Sequence, residues 1–569
     1  MDIGFAATRT LDSRYQDLDR PVLLSGVQAL VRVLLEQARL DRAGGLNTGG
    51  LVSGYRGSPL GGVDQELWRR EKLLTSHSIR FQPGLNEDLA ATMLWGTQQI
   101  DTFPGKTVDG VFGMWYGKGP GVDRSGDAFR CANMIGTSAQ GGVLAVSGDD
   151  HAAHSSVFPH QTDGIFQAVN IPVLQPADVQ DIIDLGLAGI AMSRFAGLWV
   201  ALKTIAENAE QHAVVTVPST RSFVRPGIAL PPHGLNLDAA LPWPAERAEL
   251  ERRMVQERLP AALAWARANR LDRLAHGCMD APIGIVTVGK AHHDIMHALR
   301  RLGLSDSPDI AVYKVALSWP IEPVGLREFA AGKRALLVAE EKRANVEEQL
   351  RAALYNLPDR PPIQGKQDLD GATLLPAVLE LSPELAMAAL VRFLGSAGLA
   401  VVLPGQAAAF TDGRYTLQLA AQADPDLFEF LHTTDQPPQD WLAAALPGGR
   451  VGYDPWLISE DGLRRYADAG LTMVPVTENP LDAAWPDRPA APCAPAVPHP
   501  LHWAGVPSAT KREEVAAALR GARQDAAVIT DPASLCWLLN LRGGDVAYTP
   551  FVLGFVLMHA DGRADIFLD

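Results

Sequence analysis

Residues 51–62, LVSGYRGSPLGG, decide how this chain is read: a short apolar run gives way to a loop dense in Gly and Pro. That order describes a buried strand ending in a tight connection. Upstream, residues 21–43 (PVLLSGVQALVRVLLEQARLDRA) set apolar side chains at helical spacing, and GGLNTGG stops that helix before the strand. Downstream the alternation continues. VDGVFGMW reads as a strand, DAFRCANMIGTSA as a helix, GGVLAVSGDD as a strand and loop, IPVLQP as a short strand, DVQDIIDLGLAGIAMSRFAG as a helix and LWVALKTI as a strand. Strand and helix taking turns in this way predict a parallel sheet covered by helices, hence an α/β fold.

Residues 217–246 are rich in Pro and Gly without periodicity, and a charged helix is expected near 247–269. A second α/β unit then starts at IGIVTVGK (283–290) and runs through IAVYKV, ALLVAEEK and VEEQLRAALYN, predicting a doubly wound sheet. From about residue 395 the pattern changes. Two stretches, GSAGLAVVLPGQAAAFTDGRYTLQ and RGGDVAYTPFVLGFVLMHADGRADIFLD, each combine apolar strands with an Asp-Gly-Arg turn, a hairpin signal that implies two related domains.

Composition narrows the function classes. A chain of 569 residues suggests three or four domains, and 47% hydrophobic residues can fill their cores. A formal net charge of −15 argues against nucleic acid as a partner. Cys131, Cys278, Cys493 and Cys536 show no CxxC spacing, so neither a zinc knuckle nor an iron–sulfur cluster is read from them. Neither a signal peptide nor a membrane helix is apparent, and a cytoplasmic protein is expected.

The candidate chemistry lies in residues 53–154. In QPGLNEDLAATMLWGTQQ (82–99), Glu87 opens a helix just after a turn; an acid there is either functional or an ordinary first-turn residue. Tyr55, Arg56, Gly57, Ser58 and Pro59 form the loop after the first strand, a ligand contact or a plain βα connection. In GMWYGKGPGVDRSGD (113–127), Lys118 and Arg124 can meet a carboxylate with Asp123 and Asp127 orienting them, or form local ion pairs in a solvated loop. Asp149, Asp150, His151 and His154 invite a metal reading, which the lack of a further ligand cluster disfavours; no metal ligand is assigned. The GDD at 148–150 is not the GDG start of a thiamine diphosphate magnesium motif, because Asp150 replaces the last Gly and Asn170 comes too early.

Residues 1 to about 392 resemble indolepyruvate:ferredoxin oxidoreductase, a member of the thiamine diphosphate-dependent 2-oxoacid:ferredoxin oxidoreductase group. The likeness rests on SGYRGSPLGG, FQPGLNEDLAAT, WGTQQ, GMWYGKGPGVDRSGD, GVLAVSGDDHAAHSS, YKVALSWPIEP and LLVAEEKR. It implies a pyrimidine-type thiamine diphosphate domain (20–220), a linker and helix (221–280) and a transketolase C-terminal-like domain (281–392). It further implies oxidative decarboxylation of arylpyruvates to acyl-CoA, with a 2-oxoacid, CoA and ferredoxin as partners and a homodimer as the assembly. Glu87 becomes the carboxylic acid that touches the cofactor's aminopyrimidine and promotes the proton shift activating the thiazolium carbon. Tyr55 to Pro59 become cofactor contacts, and Lys118, Arg124 and His154 substrate contacts. The Mg²⁺–diphosphate half-site and the iron–sulfur clusters of the intact family are not found, so the chain alone is expected to be incomplete and inactive.

Residues from about 395 to 569 resemble the non-catalytic creatinase-type domains of aminopeptidase P, through GSAGLAVVL, FTDGRYTLQ, VGYDPW, NPLDAAWPDRPAAP and SLCWLLNLRGGDVAYTP. This implies a partial first domain (395–498) and the start of a second (499–569), with the metallopeptidase domain beyond Asp569. The two likenesses meet at about 390–396 without a linker, so a truncated, chimeric or assembly-derived chain and a non-enzymatic interaction module are further readings.

Overall fold

A computed structural model describes residues 12–241, 247–369, 371–394, 398–411, 419–420, 423–433, 435–480, 482, 491–545 and 549–568. The chain divides into two compact units, Met1–Phe430 and Leu431–Asp569. Both mix helices and strands, as the α/β reading predicts.

The first part of the first unit contains β1 (Pro21–Ser25), β2 (Gly49–Gly54), β3 (Ile79–Phe81), β4 (Val111–Lys118), β5 (Val143–Asp149), β6 (Val173–Leu174), β7 (Val200–Ile205) and β8 (His212–Thr216). Strands β2 to β7 build a parallel sheet in the order β6-β7-β5-β4-β2-β3, while β1 and β8 form a separate antiparallel pair. Every residue of β5 and β7 is buried, as expected of central parallel strands with helices on both faces. The helix Gly26–Ala43 starts with a capping box between Ser25 and Gln28 and packs against the helix Val179–Ala196.

Next come β9 (Arg273–His276), β10 (Ile283–Val288), β11 (Ile310–Val315), β12 (Leu317–Trp319), β13 (Ala335–Ala339) and β14 (Ile363–Gln364). A second sheet has the order β14-β13-β10-β11-β9, parallel apart from the antiparallel edge strand β9. Strand β12 leaves it and adds antiparallel to β6, on the edge of the first sheet. The helix Leu259–Ala268 packs on the helix Val179–Ala196, and its Ala261, Ala262, Trp265 and Ala266 join the first core. Residues 221–280, read from sequence as a linker and helix, therefore contribute to that core. Arg258 in the same segment is buried and donates to the carbonyls of Asn133, Met134 and Ile135, closing the end of the helix Gly126–Ile135.

The helix Pro383–Leu394 completes the core beneath the second sheet. The antiparallel hairpin of β15 (Gly398–Leu403) and β16 (Gln406–Thr411) follows and counts with the first unit. It turns at Pro404–Gly405; the first Asp-Gly-Arg stretch, 412–414, lies outside the described residues. In the second unit the other Asp-Gly-Arg turn joins Phe555–His559 to Ala564–Phe567 as an antiparallel hairpin, matching its sequence signal.

Candidate functional site

Strand order fixes where a ligand fits. From β2 the chain crosses to β3 on one side, then returns to β4 on the other, so the carboxyl ends of β2 and β4 form a topological switch point, the place where open α/β sheets present a ligand crevice. Tyr55 to Pro59 leave the end of β2, and Lys118 ends β4. The helix Glu87–Thr97 begins nearby, its Asn86 side chain accepting from Leu89 N at 3.0 Å.

Three glycines permit this close assembly. A Cβ on Gly54 would sit 2.2 Å from Tyr116 O, one on Gly57 2.8 Å from Lys118 Cδ, and one on Gly121 2.6 Å from Glu87 Cγ and 2.8 Å from its Oε1. The Glu87 side chain thus rests against the bare backbone of Gly121 in the short helix Gly119–Arg124. Glu87 is 9% exposed, and its carboxylate has no protein hydrogen-bond or ion-pair partner among the described residues. Its carbonyl accepts from Trp115 Nε1 at 2.9 Å, tying the start of the helix to β4. Both carboxylate oxygens keep contact with solvent, so the acid faces open space where the described protein groups give it no partner.

The other residues singled out by sequence divide. Tyr55 and Arg56 are exposed, Gly57 and Ser58 half-buried, and Pro59 buried. Arg56 and Lys118 make no ion pair among the described residues, so both cations are available. Arg124 is held by Asp88 at 3.1 Å rather than by Asp123 or Asp127, and Asp123 is taken by His160 at 2.9 Å. His154 is an exposed residue of the loop after β5, with its ring 3.2 Å from Glu380. His151 and His154 do not share a helical face; the Asp150 carboxylate instead accepts from His154 N and Ser155 N and folds the segment into turns. Among the described residues, no three His, Cys, Asp or Glu side chains gather as metal ligands.

Sequence reasoning missed the buried charge network beside this crevice. Lys203, on β7, contacts Asp163 Oδ2 at 2.5 Å and lies 3.6 Å from Asp149 Oδ2 at the end of β5. Glu341, after β13, lies 2.9 Å from His151 Nδ1 and 3.5 Å from Lys290 Nζ, and Lys342 donates to His151 O at 2.9 Å. The carboxyl ends of the two sheets are therefore joined by charge. The signal was a lysine inside the apolar run LWVALKTI and the EEK that follows ALLVA.

Burial disfavours the Glu341 carboxylate, but His151, Lys290 and the Leu381 N–H together hold its pKa down at about 2. A carboxylate depressed in the folded state stabilises above its unfolded pKa, and that stability is lost as pH falls through the folded value. Acid unfolding of the wild type should steepen by up to about 1.4 kcal/mol per pH unit between roughly pH 4.5 and 2 from this group. Glu341→Gln should flatten that window while leaving the rest of the profile in place, as measured by urea unfolding at stepped pH.

In the second unit, Asp545 accepts from Ala494 N and Leu553 N, Arg542 donates to Leu541 O, and Lys511 lies over the Trp537 ring at 4.6 Å. These contacts hold the surrounding loops together. No described helix is long and apolar enough to cross a membrane.

Comparison with known proteins gives two separate likenesses. Residues 273–404 match the indolepyruvate oxidoreductase domain, and residues 487–569 match the creatinase/prolidase N-terminal domain. Among curated proteins, aminopeptidase P1 of Arabidopsis thaliana is 33% identical over 174 residues, covering 30% of this chain and 27% of the relative. A probable Xaa-Pro aminopeptidase P of Coccidioides posadasii is 34% identical over 185 residues, 31% of this chain and 30% of the relative. This chain thus spans less than a third of the length of these relatives. Among solved structures, 2-oxoglutarate:ferredoxin oxidoreductase from Magnetococcus marinus is 16% identical with a TM-score of 0.48, covering 66% of this chain and 65% of that one. X-prolyl aminopeptidase from Caenorhabditis elegans is 32% identical with a TM-score of 0.26, covering 32% and 31%. One chain therefore carries an indolepyruvate oxidoreductase-type segment and a creatinase/prolidase N-terminal-type segment.

Proposed function

We propose that the first unit forms the pyrimidine side of a thiamine diphosphate site in a 2-oxoacid oxidoreductase of the indolepyruvate type. The observation that carries this reading is Glu87, a largely buried residue whose carboxylate lies beside Gly121 near the strand switch point and has no partner among the described residues. The residues present fit the cofactor's ring end: an acid needing a hydrogen-bond partner, a loop from Tyr55 to Pro59, and Gly121 leaving the acid no Cβ to compete with. When bound, thiamine diphosphate supplies the carbanion chemistry of 2-oxoacid decarboxylation. Glu87 holds the proton for the aminopyrimidine nitrogen. Pro59 stiffens the loop that carries Tyr55 and Arg56, and Lys118 and Arg56 offer charge to the carboxylate of a 2-oxoacid. Arg124 and His154 are secondary, since each is already paired with an acid.

On this reading the groups that would hold the diphosphate and its Mg²⁺, pass the acyl group to CoA and carry electrons through iron–sulfur clusters to ferredoxin are supplied by a partner polypeptide. Charge-assisted contacts to the diphosphate supply much of the affinity for such a cofactor. Calorimetric titration of the chain alone should therefore show only weak thiamine diphosphate binding. Adding a diphosphate-binding subunit and ferredoxin should restore oxidation of an arylpyruvate. Low-micromolar binding by the lone chain would refute the division of the site. Silence in every mixture would refute the oxidoreductase reading.

The creatinase/prolidase match at 487–569 supports a second role for the second unit, a non-catalytic domain of the Xaa-Pro aminopeptidase type. We divide the chain at 20–220, 221–280, 281–392, 395–498 and 499–569, with the change of family at about 390–396. Proline-peptide hydrolysis with Mn²⁺ by the chain would contradict the non-catalytic assignment. Sequencing the transcript across codons 390–396 tests whether the join is natural.

A further inference from the structure

A cavity of about 380 Å³ lies away from the crevice, between the turn after the helix Leu259–Ala268, strand β11 and the helix Pro323–Ala330. Its size suits a small molecule. Asp272 lines it. One oxygen, Oδ1, accepts from Ala316 N at 2.8 Å and Leu317 N at 3.0 Å, while Oδ2 is buried with no hydrogen-bond partner. Tyr313 also lines the cavity, and its hydroxyl bonds to no described protein group. Gly325 makes room for that hydroxyl, since a Cβ there would lie 2.6 Å from it. An orphaned buried carboxyl oxygen beside a free hydroxyl asks for a donor from outside the protein.

The charges on the rim say what else that donor carries. Arg267 is occupied, contacting Glu322 at 3.3 Å and Glu328 at 2.8 Å, and Glu322 also accepts from Val324 N and Gly325 N at the start of its helix. Arg270 lines the same cavity, is exposed, and makes no ion pair among the described residues. A simple anion would satisfy Arg270 but face the acids, whereas a simple amine would satisfy Asp272 but leave Arg270 without a partner. A ligand bearing both groups meets both needs.

We propose that this cavity binds a small zwitterion of the α-amino-acid class, with its ammonium on Asp272 and Tyr313 and its carboxylate on Arg270. This site is independent of the thiamine diphosphate reading and shares no residue with it. Burial raises Asp272 to about 7, against the lowering by the Leu317 and Ala316 N–H groups; Glu322 raises it further and Arg273 lowers it. Arg267, Arg270, Glu328 and Tyr313 complete the ionisable groups around the cavity. An ammonium beside Asp272 favours its carboxylate, so binding near neutral pH expels part of a proton.

The test screens individual L-amino acids against the full chain by thermal shift, then measures hits by calorimetry at pH 7 in two buffers of different ionisation enthalpy. Saturable binding is expected for one or a few, with heats that depend on the buffer. Asp272→Asn keeps the acceptor for Ala316 and Leu317 but should weaken binding at least tenfold and abolish the buffer dependence. Arg270→Ala, at an exposed position, should also weaken binding at least tenfold without lowering the melting temperature. If no amino acid shifts the melting temperature, or if binding is indifferent to both substitutions, the proposal fails.

Discussion

Lys203→Met should lower the unfolding free energy of the first unit by about 3–5 kcal/mol, the usual cost of removing one partner from a buried ion pair. Methionine keeps the apolar stem and removes only the charge, so the effect reports electrostatics rather than a cavity. Lys203 is 3% exposed, and the acids it serves have few alternatives. Asp163 Oδ1 accepts from Gln175, Asp149 Oδ2 accepts from Thr162, and Asp149 Oδ1 has no partner. Despite burial, which raises it, Asp163 is held below the ordinary carboxylate range chiefly by Lys203. Without the lysine, Asp163 gains from protonation, so the variant should recover stability relative to wild type as pH falls toward the carboxylate range. Adding Asp163→Asn to Lys203→Met should restore part of the loss at neutral pH. Urea unfolding of the full chain, followed through the transition of the first unit, measures all three.

Glu87→Gln should reduce reconstituted arylpyruvate oxidation by about 10²–10⁴-fold, the range for losing a general acid–base group. Because the carboxylate has no described protein partner, glutamine breaks no internal hydrogen bond, and folding should be unaffected. A loss of activity with an unchanged melting temperature would separate proton transfer from structure. Gly121→Ala offers a steric counterpart. Its Cβ would press within 2.6 Å of Glu87 Cγ and displace the acid without changing its chemistry.

The sheet was legible in the sequence because parallel strands buried on both faces are written as continuous apolar runs, and the turns after them as Gly and Pro. LVSGY, VDGVFGMW and GGVLAVSGDD each became a strand at the expected place. Glu87 was legible as a helix-opening acid, but the room for its side chain comes from Gly121, more than 30 residues away in the chain. Long-range pairing is where periodicity gives no information. Nothing in LSW foretold that Leu317–Trp319 would cross to the first sheet, or that the helix after the Pro-rich stretch would seal the first core. The ion pairs of Lys203 and Glu341 were hidden for the same reason, each bringing together residues from different βα units. Asp272 carries no signal of its own in the sequence; its burial comes from neighbours that the fold brings around it.

The proposed site requires Glu87 to meet the aminopyrimidine of thiamine diphosphate. Deuterium exchange at the cofactor's thiazolium C2, followed by proton NMR with the chain at millimolar cofactor and Mg²⁺, tests it most directly. Exchange faster than in free solution is expected with the wild-type chain, and a return to the solution rate with Glu87→Gln. The same exchange rate with and without the chain, or acceleration that survives Glu87→Gln, would contradict it.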